Sequence, residues 1–139
     1  MQNQILSELN VADADLAALA AALDVPTLAG LQHQGDVSVV PARMVVDYRT
    51  PTTAVPRMGV AVVRGESGGN THLLLASGDV RFDQREANAA DLTLGSLLVA
   101  EGATAWLDHP EHGNSGIAPG RYVLRRKREQ ADELRMVAD

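Results

Sequence analysis

The chain has no cysteine among its 139 residues. This absence excludes disulfides, thiolate metal ligands and a cysteine nucleophile, and it fits an intracellular setting. Aromatic residues are also scarce, at 3% of the chain. The core must therefore be built from Val, Leu and Ala, and oligomerisation would help to stabilise a core of such small side chains. Scarce aromatics also disfavour single-stranded nucleic-acid binding, which depends on exposed rings for base stacking.

Long apolar runs and an excess of positive charge are missing as well. No stretch approaches the ~18 consecutive apolar residues of a membrane span. The opening decapeptide MQNQILSELN lacks basic residues and a long apolar run, so we do not expect a signal peptide. The net charge of −6 disfavours a nucleic acid or an anionic membrane as the partner. We expect a protein of the bacterial cytoplasm or of a virion.

The charges that are present lie unevenly along the chain. The first 42 residues contain no Lys or Arg, whereas RYVLRRKR at 121–128 carries five of the twelve basic residues. A strand with basic residues on both faces belongs at a sheet edge, at a protruding end or at a contact surface. Two interpretations stay open for it: solvated edge protection, and pairing with an acidic surface of another subunit.

Residues 12–24, ADADLAALAAALD, predict an α-helix because Ala and Leu are the strongest helix formers. Asp13 or Asp15 can cap its N-terminus, and Pro26 ends it. The helix carries a narrow apolar stripe at positions i, i+3 and i+7, formed by Leu16, Leu19 and Leu23. This stripe would pack either on the chain's own β domain or on a neighbouring subunit.

Beyond residue 34 the pattern is that of short β-strands bounded by turn residues. The predicted strands are 36–41, 44–48, 59–65, 71–76, 79–83, two strands within 95–108, 120–128 and 134–138. Ser77-Gly78 is typical of a two-residue hairpin. We therefore predict a mainly β fold, a small antiparallel β-barrel or sandwich of about eight short strands with an N-terminal α-helix. Residues 1–30 would form the helical segment and 31–139 the β domain.

The four histidines all lie next to predicted strand ends. Together with one glutamate they are candidate ligands of a first-row divalent metal: His33, His72, His109, Glu111 and His112. The alternative is that these histidines cap strand ends and hydrogen-bond loop backbone, with no cofactor. The stretch HPEHGNSGIAPG at 109–120, which holds two of them, is interpreted first as a connection between strands.

Three segments resemble a group of small bacterial and phage β-rich proteins without an assigned activity. They are HQGDVSVVP at 33–41, RGESGGNTHLL at 64–74 and HPEHGNSGIAPGRYVLRRKRE…VAD at 109–139. The resemblance implies a shared fold but no reaction. The segment GNTHLLL also resembles the first motif of cupins, although Asn70 stands where that motif has its first histidine. That second resemblance implies a metal-binding protein.

These observations favour a non-catalytic structural or assembly module. It would dock on a protein partner or on neighbouring subunits as a homo-oligomer or larger assembly, and a capsid-decorating accessory protein of a phage virion is one form. The predicted partner contacts are Leu16, Leu19, Leu23, Arg125, Arg126, Lys127 and Arg128. Two alternatives stay open: a cupin-like metal-binding protein or metalloenzyme that uses the histidines, and a regulatory partner-binding domain whose basic strand contacts an acidic surface.

Overall fold

The computed structural model describes residues 25–64, 71–88 and 90–127. They form ten β-strands and one short 3-10 helix, Ala42–Met44. The strands are β1 (Thr27–Leu28), β2 (Gln32–Gln34), β3 (Val37–Pro41), β4 (Val60–Val63), β5 (His72–Ser77), β6 (Val80–Gln84), β7 (Thr93–Val99), β8 (Thr104–His109), β9 (Gly113–Ile117) and β10 (Gly120–Arg126).

The strands are divided between two five-stranded sheets. The first sheet has the order β1-β9-β8-β5-β4 and the second the order β2-β3-β10-β7-β6. Neighbouring strands are antiparallel, except that β1 runs parallel to β9. The mainly β prediction is thus confirmed. Of the two predicted architectures the described strands adopt the sandwich and not a closed barrel.

Three of the ten strands were not predicted, and their sequences explain why. β1, β2 and β9 read TL, QHQ and GNSGI. None has the run of β-branched and apolar residues that marks a strand by pattern. These segments form strands because their backbones pair with a neighbouring strand.

The core lies between the sheets, where alternate residues of each strand point inward. Leu74 and Leu107 are paired across β5 and β8 and are fully buried, and Leu97, Tyr122 and Leu124 face them from the second sheet. Apart from Phe82 and Tyr122, the cluster of buried core residues consists of Val, Leu, Ala and Ile. The core is thus mainly aliphatic, as the scarcity of aromatic residues predicts.

The basic strand does not lie at an edge. β10 pairs with β3 on one side and with β7 on the other, so it is the central strand of the second sheet. Its buried stretch is Tyr122–Leu124, and Arg125 and Arg126 follow only where the strand leaves the core. The edge interpretation is therefore wrong. The protruding-end interpretation is wrong as well, because Arg125 still pairs with Ser38 and Thr93, and Arg126 with Val37.

Two local predictions are also wrong. The expected strand 44–48 begins at the 3-10 helix and then runs as irregular chain, with Val46 fully exposed, because none of the described strands pairs with it. Ser77-Gly78 does not form a hairpin, because β5 pairs within the first sheet and β6 within the second. Gly78 has φ 88°, and a Cβ there would lie 2.9 Å from the Ala103 Cβ, so this crossing requires glycine.

Some predictions concern residues outside the described ranges. These are the helix over 12–24 with its stripe Leu16, Leu19 and Leu23, the strand over 134–138, and Arg128. Across 25–64, 71–88 and 90–127, no helix has the length and apolar character that crossing a membrane requires.

Leu107→Ala should lower the free energy of unfolding by about 2–5 kcal/mol, because it leaves a cavity at a fully buried position between the sheets. Urea denaturation followed by circular dichroism measures this change. Leu28→Ala is the control: Leu28 is 54% exposed, so its loss should change stability by about 0.5 kcal/mol or less. Equal effects of the two substitutions would contradict the assignment of the core.

Candidate functional site

Three of the four histidines meet at one end of the sandwich and form what we call the histidine cluster: His72, His109 and His112. His72 begins β5, His109 ends β8, and His112 lies in the turn between β8 and β9. The ring centroids of His72 and His109 are 4.3 Å apart, and those of His109 and His112 are 4.5 Å apart. His72 and His112 are separated by 6.5 Å, so the three rings form a bent arrangement with His109 at the corner.

The buried His72 ring is held at both nitrogens. Its Nδ1 lies 3.0 Å from Gln34 Oε1, and its Nε2 lies 3.0 Å from Asp36 Oδ1. Gln34 Nε2 donates to the carbonyl oxygens of Leu107 and Gly113, both at 2.9 Å, and this fixes the amide so that its oxygen faces His72. Both ring nitrogens of His72 therefore face acceptors.

Asp36 connects the histidine cluster to the end of β10. Its Oδ1 is bonded to His72, its Oδ2 lies 3.5 Å from an Arg126 guanidinium nitrogen, and its backbone oxygen accepts from Lys127 N at 2.9 Å. The hydrogen bond from His72 lowers the pKa of Asp36, which keeps the carboxylate ionised. Gly35 beside it has φ 58°, and a Cβ there would lie 2.9 Å from the His112 ring.

His109 closes the turn after β8. Its Nδ1 accepts from the backbone N–H groups of Glu111 at 3.1 Å and His112 at 3.3 Å. Burial lowers the pKa of His109, and the neighbouring His72 and His112 add to that effect. The expected role of a strand-end histidine that hydrogen-bonds loop backbone is confirmed for this residue. The stretch 109–120 is more than a connection, because 113–117 form β9.

The other two predicted metal ligands lie apart from this arrangement. His33 is in β2, and its Nδ1 lies 2.8 Å from Ser38 Oγ, while Glu111 is exposed in the turn. In the part of the chain that the structure describes, no three His, Asp or Glu side chains are placed to hold a metal ion. The metal site stays a prediction, and the hydrogen bonds of His72 and His109 favour a structural role for the histidine cluster.

A second feature lies on the outer face of the second sheet. It is a groove of about 530 Å³ that we call the basic groove. Its floor is apolar and formed by Leu31, Val40, Met44 and Leu92. Its rim is formed by Arg125, Arg126 and Lys127, with His33 and Ser38 also lining it. The RRKR motif identified the rim, but the floor comes from four separate segments and left no signal in the sequence.

Two properties of the basic groove indicate that it can accept another molecule. Leu31 and Met44 are 47% and 54% exposed, so the floor keeps apolar surface in water. The rim of the groove adds positive charge through Arg125, Arg126 and Lys127.

The comparison with protein families gives a match over most of the described chain. The family model described as "Domain of unknown function (DUF8820)" matches residues 33–127, which include most of β2, all of β3 to β10, the histidine cluster and most of the basic groove. No curated protein matches the chain, and no solved structure does.

Gln34→Leu should lower the free energy of unfolding by about 2 kcal/mol or more, because it removes the partner of the buried His72 Nδ1, of the buried Leu107 carbonyl and of the partly buried Gly113 carbonyl. Thermal and urea unfolding measure the loss. Gln32→Leu is the matched control on the same strand, because Gln32 bonds only to partly exposed carbonyls and should lose about 1 kcal/mol or less. A Gln34→Leu protein as stable as the control would contradict the network.

His109→Asn should make the folded protein less sensitive to acid. The Asn Oδ1 can replace the Nδ1 acceptor but does not titrate. The pKa of His109 is lowered by folding, so the unfolded chain binds more protons and stability falls as pH drops below about 6.5 toward the folded value. Urea midpoints at about pH 7.5 and about pH 5 should differ less for His109→Asn than for the natural protein. His33→Asn is the control. If His109→Asn leaves the difference between the two urea midpoints unchanged, the proposed effect of His109 on acid sensitivity is contradicted.

Proposed function

The chain belongs to the DUF8820 family, and we propose that it is a non-catalytic assembly module whose basic groove binds an acidic, apolar segment of a protein partner. The observation that carries this proposal is the combination of an apolar floor with a rim of three cations on one open sheet face. Apolar floors supply affinity by burial, at roughly 25 cal/mol per Å². The charged rim selects partners of opposite sign and orients them.

The chemistry of the rim narrows the class of partner. Arg125 lines the groove, and a guanidinium forms its strongest hydrogen bonds with charged acceptors such as a carboxylate. Phosphate would also suit arginine, but the net charge of −6 repels polyanions such as nucleic acids at longer range. A protein segment with carboxylates on either side of leucine side chains can pair with the cationic rim and also cover the apolar floor.

The hydrogen bonds of His72 and His109 support a structural role for these two side chains. Both nitrogens of His72 and one nitrogen of His109 are used in hydrogen bonds within the fold. A general base or a nucleophile activator needs a nitrogen within reach of substrate. The cluster instead stabilises the turns beside the basic groove. A capsid-decorating accessory protein of a virion is one concrete form of the proposed assembly module.

Replacing two rim cations, as Arg125→Glu with Lys127→Glu, should weaken binding of an acidic peptide at least about tenfold, since opposite charges in contact become like charges. The probe is a fluorescein-labelled peptide with leucines at i, i+3 and i+7 and glutamates between them, titrated by anisotropy against the full chain. Binding to the natural protein should weaken as salt is raised.

Arg121→Glu is the matched control, because Arg121 lies exposed on the same strand but does not line the basic groove. It should leave the peptide's affinity unchanged. Circular dichroism verifies that each variant is folded. If the rim variant and the natural protein bind the peptide equally well, the proposal is overturned. It is also overturned if the natural protein does not bind the peptide although its groove is free.

A further inference from the structure

The partner of the basic groove can be specified further, on the assumption that the proposed function holds. We infer that the groove binds residues 1–24 of a second copy of this chain, so that copies assemble head to tail. Three observations lead to this occupant: the charge of that segment, its leucine stripe, and the side of the sandwich from which it departs.

The charge and the apolar pattern of the segment match the basic groove. Residues 1–24 contain no Lys or Arg and carry four acidic residues, namely Glu8, Asp13, Asp15 and Asp24. The stripe of Leu16, Leu19 and Leu23 would lie on the floor of Leu31, Val40, Met44 and Leu92. Helix-in-groove recognition uses this spacing of apolar anchors. Asp13 and Asp15 precede the stripe and can pair with rim cations.

The point of departure favours a neighbouring copy over the same chain. Val25 packs against Leu75 and Trp106. These two residues are paired across β5 and β8 and alternate with the core residues Leu74 and Leu107, so they lie on the outer face of the first sheet. The basic groove is on the outer face of the second sheet. Val25, to which residues 1–24 are joined, therefore lies on the face of the sandwich opposite to the groove.

Such a contact is heterologous, because the segment of one copy meets a different surface, the groove, of the next. Heterologous contacts close into rings when the rotation between copies allows it and otherwise extend into filaments. An open filament would therefore have one free groove at one end and one free N-terminal segment at the other. A closed ring would satisfy every copy.

The test is a complementation experiment on full-length chains by analytical ultracentrifugation. The groove variant is Arg125→Glu with Lys127→Glu, and the segment variant is Asp13→Lys with Asp15→Lys, Leu16→Ser and Leu19→Ser. The natural protein should sediment as an oligomer, and each variant alone as a 14.7 kDa monomer. A mixture of the two should form a dimer and nothing larger, because only one segment and one groove remain intact.

Arg121→Glu serves again as a folded control and should keep the natural mass. A natural protein that is monomeric while its groove still binds the acidic peptide would overturn this inference and leave the proposed function standing. If the natural protein is a monomer and only the segment variant binds the peptide, then the segment occupies the groove of its own chain. That result also overturns the inference. Oligomers that persist in both variants, with no peptide binding, would overturn the inference and the proposed function together.

Discussion

The hydrogen bonds of the Gln34 side chain tie the two sheets together at one end of the sandwich. Gln34 belongs to the edge strand β2 of the second sheet, yet its amide donates to the carbonyls of Leu107 and Gly113 in the first sheet. A buried amide has to satisfy its donors and its acceptor, so its orientation is determined once the two carbonyls are in place. The remaining oxygen then faces His72. A buried polar network that is satisfied in this way favours one packing of the sheets over others.

The same network determines the shape of the surface. His72 holds Asp36, and Asp36 holds the end of β10 through its backbone bond to Lys127 and its ion pair with Arg126. The backbone N–H of Arg126 also donates to the carbonyl of Leu92, which lies on the floor of the basic groove. The rim and the floor are therefore positioned by a chain of bonds that begins inside the sandwich. This arrangement explains how a central, core-forming strand can present cations at its end.

The histidines illustrate how chemistry-bearing residues can serve the fold. Three imidazoles side by side would repel one another if all were charged, and the structure separates their roles. His72 faces acceptors on both sides, whereas His109 accepts hydrogen bonds and is favoured in its neutral form by burial. Their position beside Gly35 and Asp36 makes the cluster a support for two turns.

The local pattern of the sequence was sufficient for part of this description. Alternating apolar residues located seven of the strands, because a strand that faces the core must repeat with period two. Glycine and proline marked most of the turns, and the RRKR motif identified the cationic rim. Pattern failed at 44–48, where a β-branched run has no partner strand, and at β1, β2 and β9, where polar or very short segments have one.

By itself, then, the sequence determined a mainly β domain with an aliphatic core, histidines at strand ends and an uneven distribution of charge. Only the tertiary structure decided which strands pair, that the chain crosses between sheets at Gly78, that β10 is central, and that Leu31, Val40, Met44 and Leu92 share one floor. The physical reason is the range of the interactions. Side-chain alternation and turn preferences act between neighbours in the chain, whereas strand pairing, the Gln34 bonds and the basic groove join residues far apart in sequence.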